Sequence, residues 1–254
     1  MNRTSEFFQE IEHPEVPWRT YQLHVPVFYF DTMLMSVSFL APTERVKTIL
    51  PSKRLHPYRI SPWHSLVTIT AYMYRDCDLD PYNEVGISIP VTLDKPTALF
   101  AGSLRKLPAE PMSYVTHLPV TTEIARVVGA EFAGYPKFVA QIDFTDEDGW
   151  MCCDLHDKDQ HVFALRGRKL DLFHAPRVHT YPLTHRRGYI LRSEFIGSER
   201  EMGASRSGED IKLELGDHPI AQELRDLELG RVMAYYYCPA MQGILTPVIE
   251  SYTV

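Results

Sequence analysis

The sequence predicts a mainly β protein, most simply a barrel or a sandwich. Three observations carry that expectation. Apolar runs are short, rich in β-branched and aromatic residues, and separated by Pro, Gly, Asn or Asp. Helical spacing is confined to a few brief segments, and no repeat recurs along the chain. The 254 residues lie at the upper end of what one domain holds, so one domain is expected over 1–254, with an N-terminal arm at 1–20.

The arm, punctuated by Pro14 and Pro17, is expected to be extended or to form a short helix. Residues 21–40 are rich in Val, Phe, Tyr, Met and Ser and read as strands. Pro42 opens a short helix that puts Val46, Ile49 and Leu50 on one face, and Pro51 stops it. Residues 65–74 alternate as a strand, 76–83 are a polar turn, and 84–93 are a second strand. A Gly- and Pro-punctuated excursion at 102–113 precedes a short helix at 121–128, with Thr121 or Thr122 as cap and Gly129 at its end. Residues 139–144 and 151–155 flank Asp146-Glu147-Asp148-Gly149 as a hairpin, and 161–172 form a further strand. Residues 197–209 read as a loop by composition. The clearest helix follows: Asp217 caps it, Pro219 sits in its first turn, Ile220, Leu224 and Leu227 share a face, and Gly230 closes it. A strand at 232–238 and a final segment at 244–252 end the chain.

Composition excludes several classes. Hydrophobic residues at 44% and charged residues at 23% describe an ordinary globular chain, and 26 basic against 33 acidic residues argue against nucleic acid as a partner. The N-terminus lacks the apolar run of a signal peptide, and no stretch reaches the roughly 20 apolar residues of a membrane span. No membrane partner is expected, and the expected location is cytoplasmic. Cys77, Cys152, Cys153 and Cys238 have no C-x-x-C spacing and are read as free thiols in a reducing compartment.

Several patterns fail on inspection. Asp76-Cys77-Asp78-Leu79-Asp80 begins like a calcium loop, but Pro81 stands where the loop needs glycine and Ile87 where it needs glutamate. His156 and His161 flank charged residues as at a solvated hairpin tip, with no third convergent ligand in the sequence, so no metal is expected. His218 reads as part of a helix start rather than a base. No H-E-x-x-H, G-x-S-x-G, Walker or dinucleotide fingerprint is present.

One stretch stands apart, Glu131-Phe132-Ala133-Gly134-Tyr135-Pro136-Lys137-Phe138. Gly134 permits unusual backbone angles and Pro136 fixes its own φ, which together aim the lysine that follows. Taken alone, a lysine after a proline turn is a solvated surface residue.

Read with Asn83-Glu84-Val85-Gly86-Ile87-Ser88-Ile89-Pro90-Val91, that stretch resembles the acetoacetate decarboxylase family. The pattern is E-x-G-x-x-I-P-V followed by G-x-E-x-x-x-Y-P-K, the second beginning at Gly129. Leu213-Glu214-Leu215-Gly216-Asp217-His218-Pro219-Ile220 is similar to the family's final helix entry. The resemblance implies an antiparallel β-barrel core with peripheral strands and a few helices. It implies Lys137 as the Schiff-base lysine and Glu84 as the carboxylate that handles protons or positions substrate. It implies a small oxo-acid substrate, no metal or organic cofactor, and a homo-oligomer, for which the aromatic, proline-rich stretch at 7–30 suits a subunit contact.

The chemistry explains those residue types. An amine attacks a ketone only when neutral, and at a pKa near 10.4 only about one free lysine in 2,500 is neutral at pH 7. Burial or a nearby cation lowers that pKa. The sequence departs from the family at three places. Phe138 stands where a second lysine follows the reactive one, so activation is expected to rest on apolar neighbours, with Phe132, Phe138 and Ile220 as candidates. Only Thr70 is offered where a second glutamate is expected, and residues 20–44 contain no Arg or Lys, leaving Arg126 or Arg75 to meet a carboxylate. Glu131 is as suited to a structural hydrogen bond as to the site, and Tyr135 to packing.

Decarboxylation of acetoacetate or a related β-keto acid is the leading expectation. A Schiff-base aldolase or dehydratase acting on a larger oxo acid is the alternative. A barrel that binds a small ligand without turnover is the third.

Overall fold

Successive side chains of a strand point to opposite faces, and the longest strands here use their two faces differently. The computed structural model describes residues 3–9, 11–96 and 110–254. The chain begins with strands β1 (Glu15–Trp18), β2 (Tyr21–His24) and β3 (Val27–Pro42). Helix α1 (Thr43–Thr48) leads to β4 (Leu55–Pro57), β5 (His64–Cys77), β6 (Tyr82–Leu93) and β7 (Met112–His117). Helix α2 (Glu123–Ala133) leads to β8 (Gln141–Glu147), β9 (Trp150–Asp157) and β10 (Gln160–Arg168). Short strands follow as β11 (Phe173–Ala175), β12 (Val178–Arg186), β13 (Tyr189–Arg192), β14 (Phe195–Gly197), β15 (Arg200–Ser205) and β16 (Ile211–Leu215). Helix α3 (Pro219–Asp226), β17 (Val232–Leu245) and β18 (Glu250–Thr253) complete the order.

Among the described residues, β3, β5, β6, β7, β12, β14 and β17 close into a seven-stranded barrel, each hydrogen-bonded to the next. All neighbours are antiparallel except β7 and β12, which run parallel. The expected barrel with peripheral strands is therefore present, with one parallel pair. The sheet β16-β10-β9-β8 stands outside it.

The main core fills the space between the two. Val67, Ile69 and Ala71 of β5 and Val85, Ile87 and Ile89 of β6 share one buried cluster with Cys153, Leu155 and Leu165 of the outer sheet and Leu224 of α3. The alternate residues of the same strands turn into the barrel. There Ser36 bonds Thr70 at 2.8 Å and Ser38 bonds Thr68 at 2.8 Å across β3 and β5. The barrel wall is thus apolar outside, where it meets the rest of the protein, and hydroxyl-bearing inside.

Several local expectations are corrected. Residues 15–18, placed in an arm or short helix, pair with 21–24 as a hairpin. Phe8 stacks on Phe28 at 4.6 Å and is buried with Phe30, so these three aromatics of the expected exposed arm pack on the chain itself. Helix α2 does not stop at Gly129 but runs on to Ala133, with Thr122 as its N-cap and Gly134 in the left-handed region at its C-cap. Residues 197–209 hold strand β15, paired with β17 and β11, and Gly203 in it packs too closely against Leu170 to carry a side chain. Helix α3 is capped by His218, whose Nδ1 accepts from the Ile220 N–H at 3.2 Å, and not by Asp217. It ends at Asp226, ahead of Gly230. Of the excursion at 102–113, residues 102–109 lie outside the described residues, and 112–113 begin β7. Strands β11 to β14 carried no expectation. All four cysteines are free. Among the described residues no helix is long and apolar enough to cross a membrane.

Candidate active site

Three adjacent backbone segments bring Glu84 and Lys137 together. Glu84 lies on β6, where Val120 pairs with it antiparallel, and Val120 pairs in turn with Val139 in parallel. Val85 N–H donates to the Pro119 carbonyl at 3.0 Å, Leu118 N–H to Pro136 at 3.3 Å and Val120 N–H to Phe138 at 2.9 Å. Residues 118–120 therefore form the layer between the glutamate and the lysine, which are 53 positions apart in sequence.

The approach of Lys137 depends on helix α2. Gly134 takes φ +67°, and the Tyr135 N–H returns to the Gly129 carbonyl at 3.2 Å, which turns the chain back along the helix. Pro136 then directs Lys137 across Gly129. A Cβ at position 129 would stand 2.6 Å from Cε and 2.7 Å from Cδ of Lys137. The bare backbone at Gly129 is thus the floor on which the lysine stem lies.

At its end, Nζ of Lys137 donates to Oε2 of Glu84 at 2.7 Å, with side chains only 4% and 7% exposed. Tyr74 donates its hydroxyl to the other carboxylate oxygen at 3.0 Å. The rings of Tyr82 and Tyr135 stand 5.6 and 5.8 Å from Nζ, within reach of a cation–π attraction. The pair opens onto a cavity of about 280 Å³ inside the barrel. Its wall includes Tyr29, Tyr72, Tyr135, Thr68, Thr70 and Ser88.

Burial pushes the phenols of Tyr29, Tyr74 and Tyr82 well above their ordinary range, and the charge of Glu84 acts in the same direction. Tyr72 and Tyr135 are raised for the same two reasons. These hydroxyls stay protonated at neutral pH and serve as hydrogen-bond donors, not as bases. The arrangement can pass a proton between an amine and a carboxylate while a polar molecule contacts the amine from the cavity.

Of the residues expected in the site, Lys137, Glu84 and Thr70 line the cavity and Phe132, Phe138 and Ile220 do not. Phe132 lies on the outer side of α2, 39% exposed, with its ring 5.1 Å from Trp18. Phe138 follows Lys137 in extended backbone, so it turns away and packs on the main core, which also buries Ile220. The surroundings of Lys137 are tyrosine rings instead. Glu131 is on the surface, 2.6 Å from Arg19. Arg75 pairs with Asp31 and Arg126 with Glu123, and neither lines the cavity.

Sequence reasoning missed Tyr74, which anchors Glu84, and assigned Tyr135 to packing alone. The usable signal was the alternation Thr68-x-Thr70-x-Tyr72-x-Tyr74 directly ahead of Glu84, which places every polar group on one strand face.

The family model for acetoacetate decarboxylase matches residues 14–248. No curated protein matches the sequence significantly. Solved structures of similar fold include an acetoacetate decarboxylase from Legionella pneumophila, 14% identical with a TM-score of 0.67, covering 99% of each chain. Another acetoacetate decarboxylase is 16% identical with a TM-score of 0.62, covering 90% of this chain and 89% of that one. The enduracididine biosynthesis enzyme MppR, complexed with pyruvate, is 13% identical with a TM-score of 0.63, covering 94% of this chain and 98% of that one. At these identities the likeness is one of fold.

Proposed function

The chain belongs to the acetoacetate decarboxylase family, and from that premise we propose that it is a cofactor-independent Schiff-base lyase whose nucleophile is Lys137, decarboxylating acetoacetate or a related β-keto acid. One observation carries the reading: Nζ of Lys137 and Oε2 of Glu84 lie 2.7 Å apart, buried, on the wall of the barrel cavity.

In this mechanism Glu84 takes a proton from Lys137, and the free amine adds to the substrate ketone. The carbinolamine loses water as Glu84 returns the proton to the departing oxygen, leaving a protonated imine. The bond to the carboxylate carbon breaks, CO2 departs, and the electron pair enters the imine to give an enamine. Protonation of the enamine carbon restores the imine, and water hydrolyses it to ketone and free lysine. Tyr74 keeps the carboxylate turned toward Nζ throughout.

A second reading, a Schiff-base aldolase or dehydratase of a larger oxo acid, is favoured by the cavity wall. Among the described residues it has no arginine to hold a small carboxylate and many hydroxyls to hold a hydroxylated chain. MppR, of similar fold, is described with the condensation product of pyruvate and imidazole 4-carboxaldehyde.

Borohydride trapping tests both. With acetoacetate and a panel of larger oxo acids, peptide mass spectrometry is expected to find a reduced adduct on Lys137 and none in Lys137→Ala. Release of CO2 from acetoacetate selects decarboxylation. An adduct without CO2 selects the second reading. A folded protein that gives no adduct with any carbonyl compound sinks the imine mechanism.

A further inference from the structure

Away from the barrel cavity, the outward face of the β8-β9-β10-β16 sheet gathers a second set of polar groups. Asp154 and His156 sit two apart on β9 and so point the same way, opposite the fully buried Cys153 and Leu155. His161 on β10 is the direct cross-strand partner of His156. Register sets the two histidines opposite each other, and alternation along β9 supplies Asp154 as the third ligand that the hairpin tip lacked when read along the sequence.

Their donor atoms converge. Oδ1 of Asp154 lies 3.1 Å from Nε2 of His161 and 3.5 Å from Nδ1 of His156, and all three lie within 4.8 Å of one another. In a tetrahedral zinc centre, with metal–ligand bonds near 2.0–2.1 Å, neighbouring donors stand about 3.3 Å apart. The 3.1 and 3.5 Å separations bracket that value.

The same atoms lack other employment. Oδ1 of Asp154, Nδ1 of His156 and Nε2 of His161 are each withdrawn from solvent and make no hydrogen bond. At 3.1 Å, Nε2 of His161 and Oδ1 of Asp154 are close neighbours that do not hydrogen-bond to each other. Gly216 fixes one ring: a Cβ there would meet the His161 carbonyl oxygen at 2.0 Å and its Nδ1 at 2.8 Å, so bare backbone presses on the imidazole from behind. Asp143 on β8 lies directly opposite Asp154, a like-charge pairing that destabilises a sheet unless a cation offsets it.

We propose that Asp154, His156 and His161 form a binding site for a divalent transition metal of the zinc type, with water completing a four-coordinate shell. Two imidazoles and one carboxylate suit Zn2+, Co2+, Ni2+ or Cu2+ rather than Mg2+ or Ca2+. The metal joins β9 to β10 on the outer sheet and takes no part in the chemistry at Lys137.

Titration of the full-length, chelator-treated protein with Zn2+ by calorimetry, and with Co2+ by visible absorption, tests this. One equivalent is expected to bind, with the strong d–d bands of four-coordinate Co2+. His161→Ala and the isosteric Asp154→Asn are each expected to weaken binding at least tenfold, with circular dichroism and Lys137 trapping unchanged. Absence of saturable binding overturns the proposal. So does binding that both variants retain undiminished, which would place the metal at other histidines.

Discussion

The chemistry proposed for this protein rests on one contact between two side chains. A buried amine and carboxylate 2.7 Å apart each satisfy a group that would be costly to bury alone. Tyr74 occupies the second carboxylate oxygen, so Glu84 cannot rotate away without breaking a buried hydrogen bond. Glu84→Gln keeps the shape but removes the proton acceptor, and kcat is expected to fall at least a hundredfold, the scale of general-base catalysis. Tyr74→Phe keeps the acceptor but frees it, and a fall of about tenfold is expected on the scale of one such hydrogen bond. Steady-state kinetics on whichever oxo acid traps at Lys137 checks the order. Equal losses in the two variants would mean that Glu84 acts only as a structural partner.

Helix α2 decides where that lysine goes. Glycine in a helix interior normally costs about 1 kcal/mol relative to alanine, so Gly129→Ala ought to stabilise an ordinary helix. Here the added methyl would meet the Lys137 stem at 2.6 Å, and the flexible stem is the part able to move. Gly129→Ala is expected to remain folded, to gain little or none of that 1 kcal/mol, and to trap substrate at Lys137 at least tenfold more slowly. Urea denaturation and timed borohydride reduction measure the two quantities. A variant that is both more stable and fully reactive would remove Gly129 from the account. The same contact explains why the helix end was misplaced by sequence, where a glycine after an apolar turn signals a cap. Its true cap is Gly134, whose left-handed φ the turn requires.

Across the whole molecule the barrel separates an apolar exterior from a phenol- and hydroxyl-lined interior. Tyr29, Tyr72, Tyr74, Tyr82 and Tyr135 hold their protons more tightly folded than unfolded, through burial first and the Glu84 charge second. Unfolded phenols ionise near pH 10. Below that pH both states keep the protons and the contribution is constant. Above it the unfolded state binds fewer protons than the native state, so stability falls as pH rises. Denaturation midpoints are expected to drop steeply beyond about pH 10, and Tyr72→Phe is expected to make the drop shallower by one phenol's share. A flat profile to about pH 11 would mean that these rings ionise freely in the folded protein.

What the sequence determined by itself was local: strand-rich patterning, a helix opening at Pro219 with Ile220, Leu224 and Leu227 on its buried face, and the two motifs holding Glu84 and Lys137. Such features are set by alternation and by the backbone limits of Gly and Pro, which act over a few residues. Tertiary structure decided which groups meet. It chose tyrosines over Phe132, Phe138 and Ile220 as the neighbours of Lys137, made residues 200–205 a strand by pairing them with β17, and set His156 and His161 face to face. Those outcomes depend on register and ring closure between segments far apart in sequence, where a shift of one residue turns every side chain to the opposite face.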